Sequence, residues 1–231
     1  MSGRTTVVAH RGGAGHAVEN TIEALESAAG IGAHAVEIDV QQAGDGGIVV
    51  FHDPDLRRLG GRPDRVAQLS TRELTGATLR QGTHRATVPT LSDFVARARE
   101  LDMPIVVELK VRGDEHGDVV ADVVAALQGA PAGTRLQSFD AASVSSAAQR
   151  FPHLPAGWIT RSRRGQAPTG AAFVAYAVQT ATRRRLARTQ EAGLERFVWT
   201  ANSTRSMRRL IDVGIEGLIT DRPAMALAHL N

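Results

Sequence analysis

The stretch TTVVAHRGG (residues 5–13) joins a short β-branched run directly to a histidine, an arginine and two glycines. The run TTVVA predicts a buried strand, and the two glycines predict the turn that ends it. His10 and Arg11 are therefore expected at the carboxyl end of a first strand. Polar residues at such a position are typical of a functional site when further parallel strands end beside them.

Similar apolar runs recur along the 231 residues, and most are separated by segments with helical periodicity. Several of those segments begin at Asn, Thr, Ser or Asp and end at Gly, as capped helices do. This alternation predicts one domain, residues 1–231, with the α/β fold of a (β/α)8 (TIM) barrel. The apolar runs cover residues 5–9, 35–40, 48–51, 104–109, 135–139, 156–160, 172–178, 196–200 and 217–220. The clearest helical segments cover residues 19–32, 90–102, 118–129, 180–194 and 202–214.

The segment VEIDVQQAGDGGIVVFHD (36–53) breaks the alternation. Its two apolar runs are joined by the turn-rich AGDGG, which predicts a β-hairpin where a helical crossover would otherwise stand. Residues 54–87 have little periodicity and are rich in Gly, Arg and Thr, so we expect a small insertion after the third strand, over one end of the barrel. A doubly wound open sheet is the alternative fold, but HRGGAGHA (10–17) lacks the G-x-G-x-x-G spacing of a dinucleotide site.

Charge and hydropathy limit the classes of partner. The 27 Lys and Arg residues only slightly outnumber the 24 Asp and Glu residues, and the basic residues are interpreted as scattered, so we expect a small-molecule substrate and no nucleic acid. No apolar run could span a bilayer, and the first strand begins too early for a signal peptide, which predicts a cytoplasmic protein without stable membrane insertion. The absence of cysteine excludes disulfides and thiolate metal sites. Composition predicts no oligomeric state.

Acidic residues lie inside two of the apolar runs. Glu37 and Asp39 are two residues apart, so both carboxylates point to one side of the predicted sheet, and Glu108 and Lys110 share a side for the same reason. Crowded carboxylates repel one another and lose solvation unless a cation lies between them. Three carboxylates without cysteine favour a Mg²⁺ or Ca²⁺ site, and an internal salt-bridge network is the alternative.

Two of the eight histidines, His10 and His52, directly follow an apolar run and precede a charged residue. Two imidazoles with ordinary pKa values near 6.5 can act as base and acid at neutral pH. Lys110 is the only lysine in the chain, and together with Arg11 it adds positive charge beside the carboxylates. A divalent cation, these two basic residues and two histidines describe a pocket for a phosphate ester.

Seven motifs make the sequence similar to the glycerophosphodiester phosphodiesterase family over almost its full length. They occur in the family's order and with its approximate spacing. The resemblance implies a (β/α)8 barrel that hydrolyses glycerophosphodiesters to sn-glycerol 3-phosphate and an alcohol. The motifs are HRGGAGHAVENT (10–21), VEIDVQQAGDGGIVVFHD (36–53), VPTL (88–91), VELK (107–110), QSFD (137–140), FVWTAN (197–202) and GLITDRP (217–223).

The resemblance also implies roles for individual residues. It assigns His10 and His52 as the acid–base pair, Glu37, Asp39 and Glu108 as ligands of a divalent cation, Arg11 and Lys110 as phosphate-binding residues, and Trp199 as a pocket residue near the glycerol. Glu19, Asn20, Ser138, Asn202 and Asp221 match family motifs too, and we interpret Ser138 and Asp221 as mainly structural.

Two alternatives remain open. The same site could cleave lysophospholipids or sphingomyelin in the manner of phospholipase D, although an apolar channel would then be expected. A catalytically silent barrel could instead bind phosphate-bearing ligands or nucleic acid through its arginines.

Overall fold

The fold is a closed barrel of parallel strands surrounded by helices. The computed structural model describes residues 5–13 and 15–230. The strands are β1 (Thr6–His10), β2 (Ala35–Gln42), β3 (Ile48–Val50), β4 (Thr78–Gln81), β5 (His84–Thr87), β6 (Ile105–Leu109), β7 (Arg135–Ser138), β8 (Ala156–Thr160), β9 (Phe173–Ala177), β10 (Glu195–Trp199) and β11 (Gly217–Thr220).

Strand pairing closes the barrel. The eight strands β1, β2, β6, β7, β8, β9, β10 and β11 pair in parallel in that order, and β1 pairs with both β2 and β11. The predicted (β/α)8 barrel is confirmed. Strand β3 lies antiparallel to β2, with Val40 opposite Val50, so the predicted hairpin is confirmed as well.

Helices lie in most of the crossovers, and their ends follow the local sequence. Thr21 and Thr90 accept hydrogen bonds from backbone N–H groups at the start of their helices, and Gly214 ends another helix in the left-handed conformation. In the described part of the chain, no helix is long and apolar enough to cross a membrane. The helices are α1 (Ile22–Ile31), α2 (Arg57–Gly60), α3 (Thr71–Thr75), α4 (Leu91–Glu100), α5 (Val119–Ala126), α6 (Ala141–Arg150), α7 (Arg183–Glu191), α8 (Thr204–Val213) and α9 (Pro223–Leu227).

One crossover departs from the strand–helix alternation. Residues 161–172, between β8 and β9, contain no helix. Their sequence, RSRRGQAPTGAA, has two glycines, a proline and no apolar periodicity, so it offers no face that a helix could bury.

The segment 54–87 is more regular than its sequence suggests. It holds α2, α3, a short 3-10 helix and the antiparallel hairpin of β4 and β5. Leu56 and Leu74 of this segment belong to one apolar cluster with Phe51, which directly follows β3. The backbone N–H of Glu19 donates to Oε1 of Gln81 at 2.9 Å, which ties the segment to the loop after β1.

Alternating side chains fill the barrel interior. Val8, Phe197 and Ile219 are buried together in its amino-terminal half. A Cβ on Gly217 would overlap the ring of Phe197, so glycine makes room for that ring. Because strand side chains alternate with a period of two, the next inward position on each strand lies at the carboxyl end of the barrel, and on β1 that position is His10.

Candidate active site

Strand register brings the acidic residues together. His10 on β1 pairs with Glu37 on β2, and Asp39 on β2 pairs with Glu108 on β6. The three acids are buried, and one carboxylate oxygen from each lies within 4.8 Å of the other two. The structure therefore forms the cluster that the spacing in the sequence suggested.

Basic groups contact this cluster on one side. Nζ of Lys110 lies 2.7 Å from Oδ1 of Asp39 and also contacts Oε1 of Glu108. Nε of Arg11 lies 3.2 Å from Oδ2 of Asp39, and Nδ2 of Asn20 donates to the same oxygen at 2.9 Å. Asp39, the best-partnered of the three acids, lies deepest, with 1% of its surface exposed.

A tight turn holds Arg11 in this position. Arg11 has φ of 54° and the following Gly12 has φ of 81°, both in the left-handed region. A side chain on Gly12 would place Cβ 2.6 Å from Cβ of Ala24 in α1. Glycine is therefore required where the first strand turns into the loop, because it permits both the backbone angle and the approach of the helix.

The pKa values of the three carboxyl groups are shifted in different directions. Burial and the negative charge of Asp39 raise the pKa of Glu37 to about 8, and the same two causes raise the pKa of Glu108. Burial would also raise the pKa of Asp39, but the charges of Lys110 and Arg11 hold it below its usual range. At Glu37 and Glu108 the positive charge of Lys110 and His10 does not offset burial and the charge of Asp39.

The donor set fits a hard divalent cation. All three acids offer oxygen, and a cation among them would favour the ionised forms of Glu37 and Glu108, whose pKa values are raised. Gln137, paired in register with Glu108, lines the same cavity, and its buried side-chain oxygen has no hydrogen-bond partner in the described chain. A further neutral oxygen is therefore available beside the cluster.

His10 is oriented by a carboxylate on the last strand's loop. A hydrogen bond of 2.6 Å joins Nδ1 of His10 to Oδ1 of Asp221, and Nδ2 of Asn202 donates to the other oxygen of Asp221 at 2.6 Å. Nε2 of His10 lies 3.9 Å from Oε2 of Glu37. Burial alone would lower the pKa of His10, but its hydrogen bond to Asp221 and the charge of Glu37 raise it.

His52 has a matching partner in the next residue. Nδ1 of His52 hydrogen-bonds to Oδ1 of Asp53 at 2.7 Å, and Nε of Arg58 donates to Oδ2 of Asp53 at 2.6 Å. Burial and the charge of Arg11 lower the pKa of His52, against the opposing effect of Asp39. Each histidine therefore has Nδ1 held by an aspartate, which leaves Nε2 for the cavity.

One cavity, open to solvent, collects the predicted residues. Trp199 lines it with its ring edge-to-face against Phe139 and with Nε1 donating to the carbonyl oxygen of Ala175 at 3.1 Å. Asp39 lies behind the lining, buried against Lys110 and Arg11. The predicted residues that line the cavity are His10, Arg11, Glu37, His52, Glu108, Lys110 and Trp199.

The sequence analysis did not assign several residues of the site to it. Asp53 directly follows His52, and that adjacency was the available signal for it. Asp221, interpreted as mainly structural, contacts His10. Phe139 and Arg161 line the cavity, although the sequence marks neither of them as a site residue.

A barrel with this strand-end site belongs to a class of enzymes whose chemistry is performed by loops at the carboxyl ends of the strands. The model of the glycerophosphoryl diester phosphodiesterase family matches residues 10–225, and the chain belongs to this family. The enzyme class expected from the sequence, a phosphoric diester hydrolase, is confirmed.

Relatives align over nearly the whole chain. A glycerophosphodiester phosphodiesterase of Caldanaerobacter subterraneus is 27% identical over 95% of this chain and 95% of its own length. One from Bacillus subtilis is 26% identical over 95% of this chain and 84% of its own length. A phosphodiesterase of Oleispira antarctica, solved in complex with the product sn-glycerol-3-phosphate, has the same fold with a TM-score of 0.87 and 24% identity, covering 98% of this chain and 96% of that chain.

Proposed function

We propose that the protein hydrolyses glycerophosphodiesters to sn-glycerol 3-phosphate and an alcohol, using a divalent cation and two histidines. The observation that carries this proposal is the convergence of two aspartate-held histidines, a lysine and a buried carboxylate cluster on one cavity. The sn-glycerol-3-phosphate bound by the Oleispira antarctica phosphodiesterase, which shares the fold, supports the choice of product.

Lys110 and Arg11 bind the phosphate in this proposal. Their charged groups lie beside the carboxylate cluster and line the cavity, so a phosphodiester placed there would receive hydrogen bonds from both. Trp199 lines the same cavity and would contact the glycerol portion. The phosphorus is thereby held between the cluster and the two histidines.

Glu37, Asp39 and Glu108 would hold the cation, which we propose to be Mg²⁺ or Ca²⁺. When bound, such a cation supplies stabilisation of the charge that develops on the phosphoryl oxygens. The protein's own contribution is to keep three carboxylates close together in a buried position, where their electrostatic attraction to a cation is stronger than in water.

The histidines move the protons. One of His10 and His52 accepts a proton at Nε2 from the attacking hydroxyl, and the other donates a proton to the alcohol oxygen as its bond to phosphorus breaks. Asp221 and Asp53 hold the two rings through Nδ1 and stabilise the protonated form of each ring.

The attacking hydroxyl is, in our proposal, the 2-hydroxyl of the glycerol. This group is tethered to the phosphorus, so its orientation is largely arranged in advance, and a cyclic phosphate would then be opened by water. A 2-deoxyglycerol diester tests this route, with its binding measured independently. Turnover equal to that of the glycerol diester would show direct attack by water.

A panel of substrates tests the function as a whole. Purified protein is incubated with several glycerophosphodiesters and with added Mg²⁺ or Ca²⁺, and the release of sn-glycerol 3-phosphate is measured. Lysophosphatidylcholine and sphingomyelin test the phospholipase D-like alternative. Steeply salt-dependent DNA binding without turnover of any diester would instead support the silent barrel. The cytoplasmic location expected from the sequence stays a prediction.

A further inference from the structure

The wall of the cavity on the β7, β8 and β10 side differs in chemistry from the wall formed by β2 and β6. Arg161, directly after β8, places its guanidinium carbon 5.1 Å from the ring centre of Phe139 and 5.0 Å from that of Trp199. The two rings contact each other edge-to-face with centres 5.6 Å apart. A guanidinium therefore covers the aromatic surface that faces the carboxylate cluster across the barrel.

The charge of Arg161 is not balanced by an acid. No ion pair within residues 5–13 and 15–230 includes Arg161. Residues 141–190 contain eight arginines and neither Asp nor Glu, so the basic residues are not scattered as the overall composition suggests. Of these arginines Arg161 lines the cavity, so it adds an unpaired positive charge to the rim, although the whole protein has a net charge of only +3.

A second cleft adjoins the cavity at this point. Arg161 and Trp199 line both spaces, and the cleft is otherwise formed by one small apolar residue and by amide and hydroxyl side chains. A diester whose phosphate lies at Lys110 has two alcohol portions, and the cleft offers polar space for the one that leaves. The other cleft residues are Ala177, Gln179, Thr180 and Thr200.

We propose, resting on the proposed function, that Arg161 and this cleft bind the leaving alcohol and select against cationic alcohols. An exposed aromatic pair would bind the ammonium of choline or ethanolamine, but here the guanidinium already occupies the ring faces and repels a second cation. The same guanidinium, with Gln179 and Thr180, can hydrogen-bond to a polyol such as glycerol or inositol. The preferred substrates are glycerophosphodiesters of polyhydroxylated alcohols.

Substitution of Arg161 tests the selection directly. The ratio of kcat/KM for glycerophosphoinositol to that for glycerophosphocholine is measured in the wild type and in Arg161→Gln. Repulsion between two charges about 5 Å apart near a protein surface predicts a wild-type ratio of about tenfold or more, and a loss of about tenfold in the variant. A wild type that prefers the choline diester, or a ratio unchanged by Arg161→Gln, would overturn the proposal.

Arg163→Gln is the matched control. Arg163 is also exposed and lies in the same irregular segment, but it lines a different cleft beside α7 and does not line the catalytic cavity. The ratio should stay at its wild-type value in this variant. An equal change in both variants would show a general effect of surface charge and would overturn the assignment to Arg161.

A binding measurement separates this inference from the proposed function. The chain has two tryptophans, so Trp158→Phe leaves Trp199 as the fluorophore beside Arg161. In a Trp158→Phe/His10→Ala background, Trp199 fluorescence reports the Kd of each diester with and without Arg161→Gln. If the wild type turns over neither diester, the proposed function fails. A lower Kd for the inositol diester than for the choline diester, lost in Arg161→Gln, would still support selection by Arg161. Equal Kd values for the two diesters would overturn the inference.

Discussion

The two ends of the barrel differ in how their charged side chains are paired. At the amino-terminal end, acids and arginines are matched one to one: Arg135 contacts Glu195, and Arg196 binds Glu216 at 2.7 Å. At the carboxyl end, three buried carboxylates share Arg11 and Lys110.

This difference distinguishes the end of the barrel that carries the candidate site from the opposite end. Arg196, 2% exposed, also donates to Gln190 and to the carbonyl oxygen of Gly214, so its buried charge is fully hydrogen-bonded. At the other end, burial and the charge of Asp39 raise the pKa values of Glu37 and Glu108, although Lys110 contacts Glu108. Such an arrangement lowers stability until a cationic ligand binds.

Chelation should have the largest effect. Exhaustive treatment with a chelator is expected to abolish diester hydrolysis, and Mg²⁺ or Ca²⁺ should restore it, because the crowded carboxylates need a cation. The same ions should raise the Tm of the wild type and raise it less in Glu37→Gln, which loses one ligand. Full activity after chelation would show that the cluster has no metal-dependent role.

Removal of either histidine should come next. His10→Ala and His52→Ala are each expected to lower kcat by about two to four orders of magnitude, since general acid–base groups contribute about that much. Circular dichroism should show an unchanged fold. His229→Ala, in the segment after α9, is the control and should keep wild-type kcat. Near-normal turnover in either test variant would remove that histidine from the mechanism.

The aspartates that hold the histidines should matter less. Asp53→Asn and Asp221→Asn keep the shape of the side chain but remove the charge that orients and stabilises each imidazolium. We expect kcat to fall by about 10 to 100-fold in each, with KM little changed, as for other groups that act through a positioned histidine. A change confined to KM would instead indicate substrate binding.

The smallest effects are shifts in stability, and they should have opposite signs at the two ends. In chelator-treated protein, Glu216→Gln leaves the charge of Arg196 poorly matched and should lower the free energy of unfolding by about 1–2 kcal/mol with kcat unchanged. Glu37→Gln removes a buried carboxyl group whose ionisation the folded protein disfavours, and it should raise the free energy of unfolding by about 1–2 kcal/mol while abolishing activity.

The stabilisation by Glu37→Gln should depend on pH. The pKa of Glu37 is higher in the folded protein than in the unfolded chain, so the folded state binds more protons, and wild-type stability falls as the pH rises from about 5 towards 8. The advantage of the variant should therefore grow over this range in denaturant titrations. A constant difference from pH 5 to pH 8 would contradict the assignment.

Much of the fold was predictable because the strands are short, buried and β-branched. The period-two spacing of Glu37 and Asp39 also predicted their common face, since it is a local property of a strand. The predicted (β/α)8 barrel implies a helix between successive strands, and the sequence analysis did not anticipate that residues 161–172 contain none. The regular alternation of the neighbouring segments concealed this exception. The regular structure within 54–87 depends on packing of Leu56 and Leu74, which periodicity in short segments does not reveal.

The pairing of side chains within the site was harder to predict. The contact between His10 and Asp221 spans 211 positions and exists only because β1 and β11 close the barrel. The stacking of Arg161 on Phe139 and Trp199 likewise depends on three strand ends that meet in space. The sequence indicated which side chains take part in the site. Which of them contact one another could be seen only in the closed barrel.

Glu19 links the folding of the 54–87 segment to the state of the cavity. Its carboxylate accepts hydrogen bonds from Arg11 at 2.7 Å and from Arg58 in α2 at 2.8 Å, and Arg58 also binds the aspartate that holds His52. Local opening of the segment would therefore free the side chains of Arg11 and His52 together. Ligand binding in the cavity is therefore expected to raise the amide-exchange protection of residues 54–87.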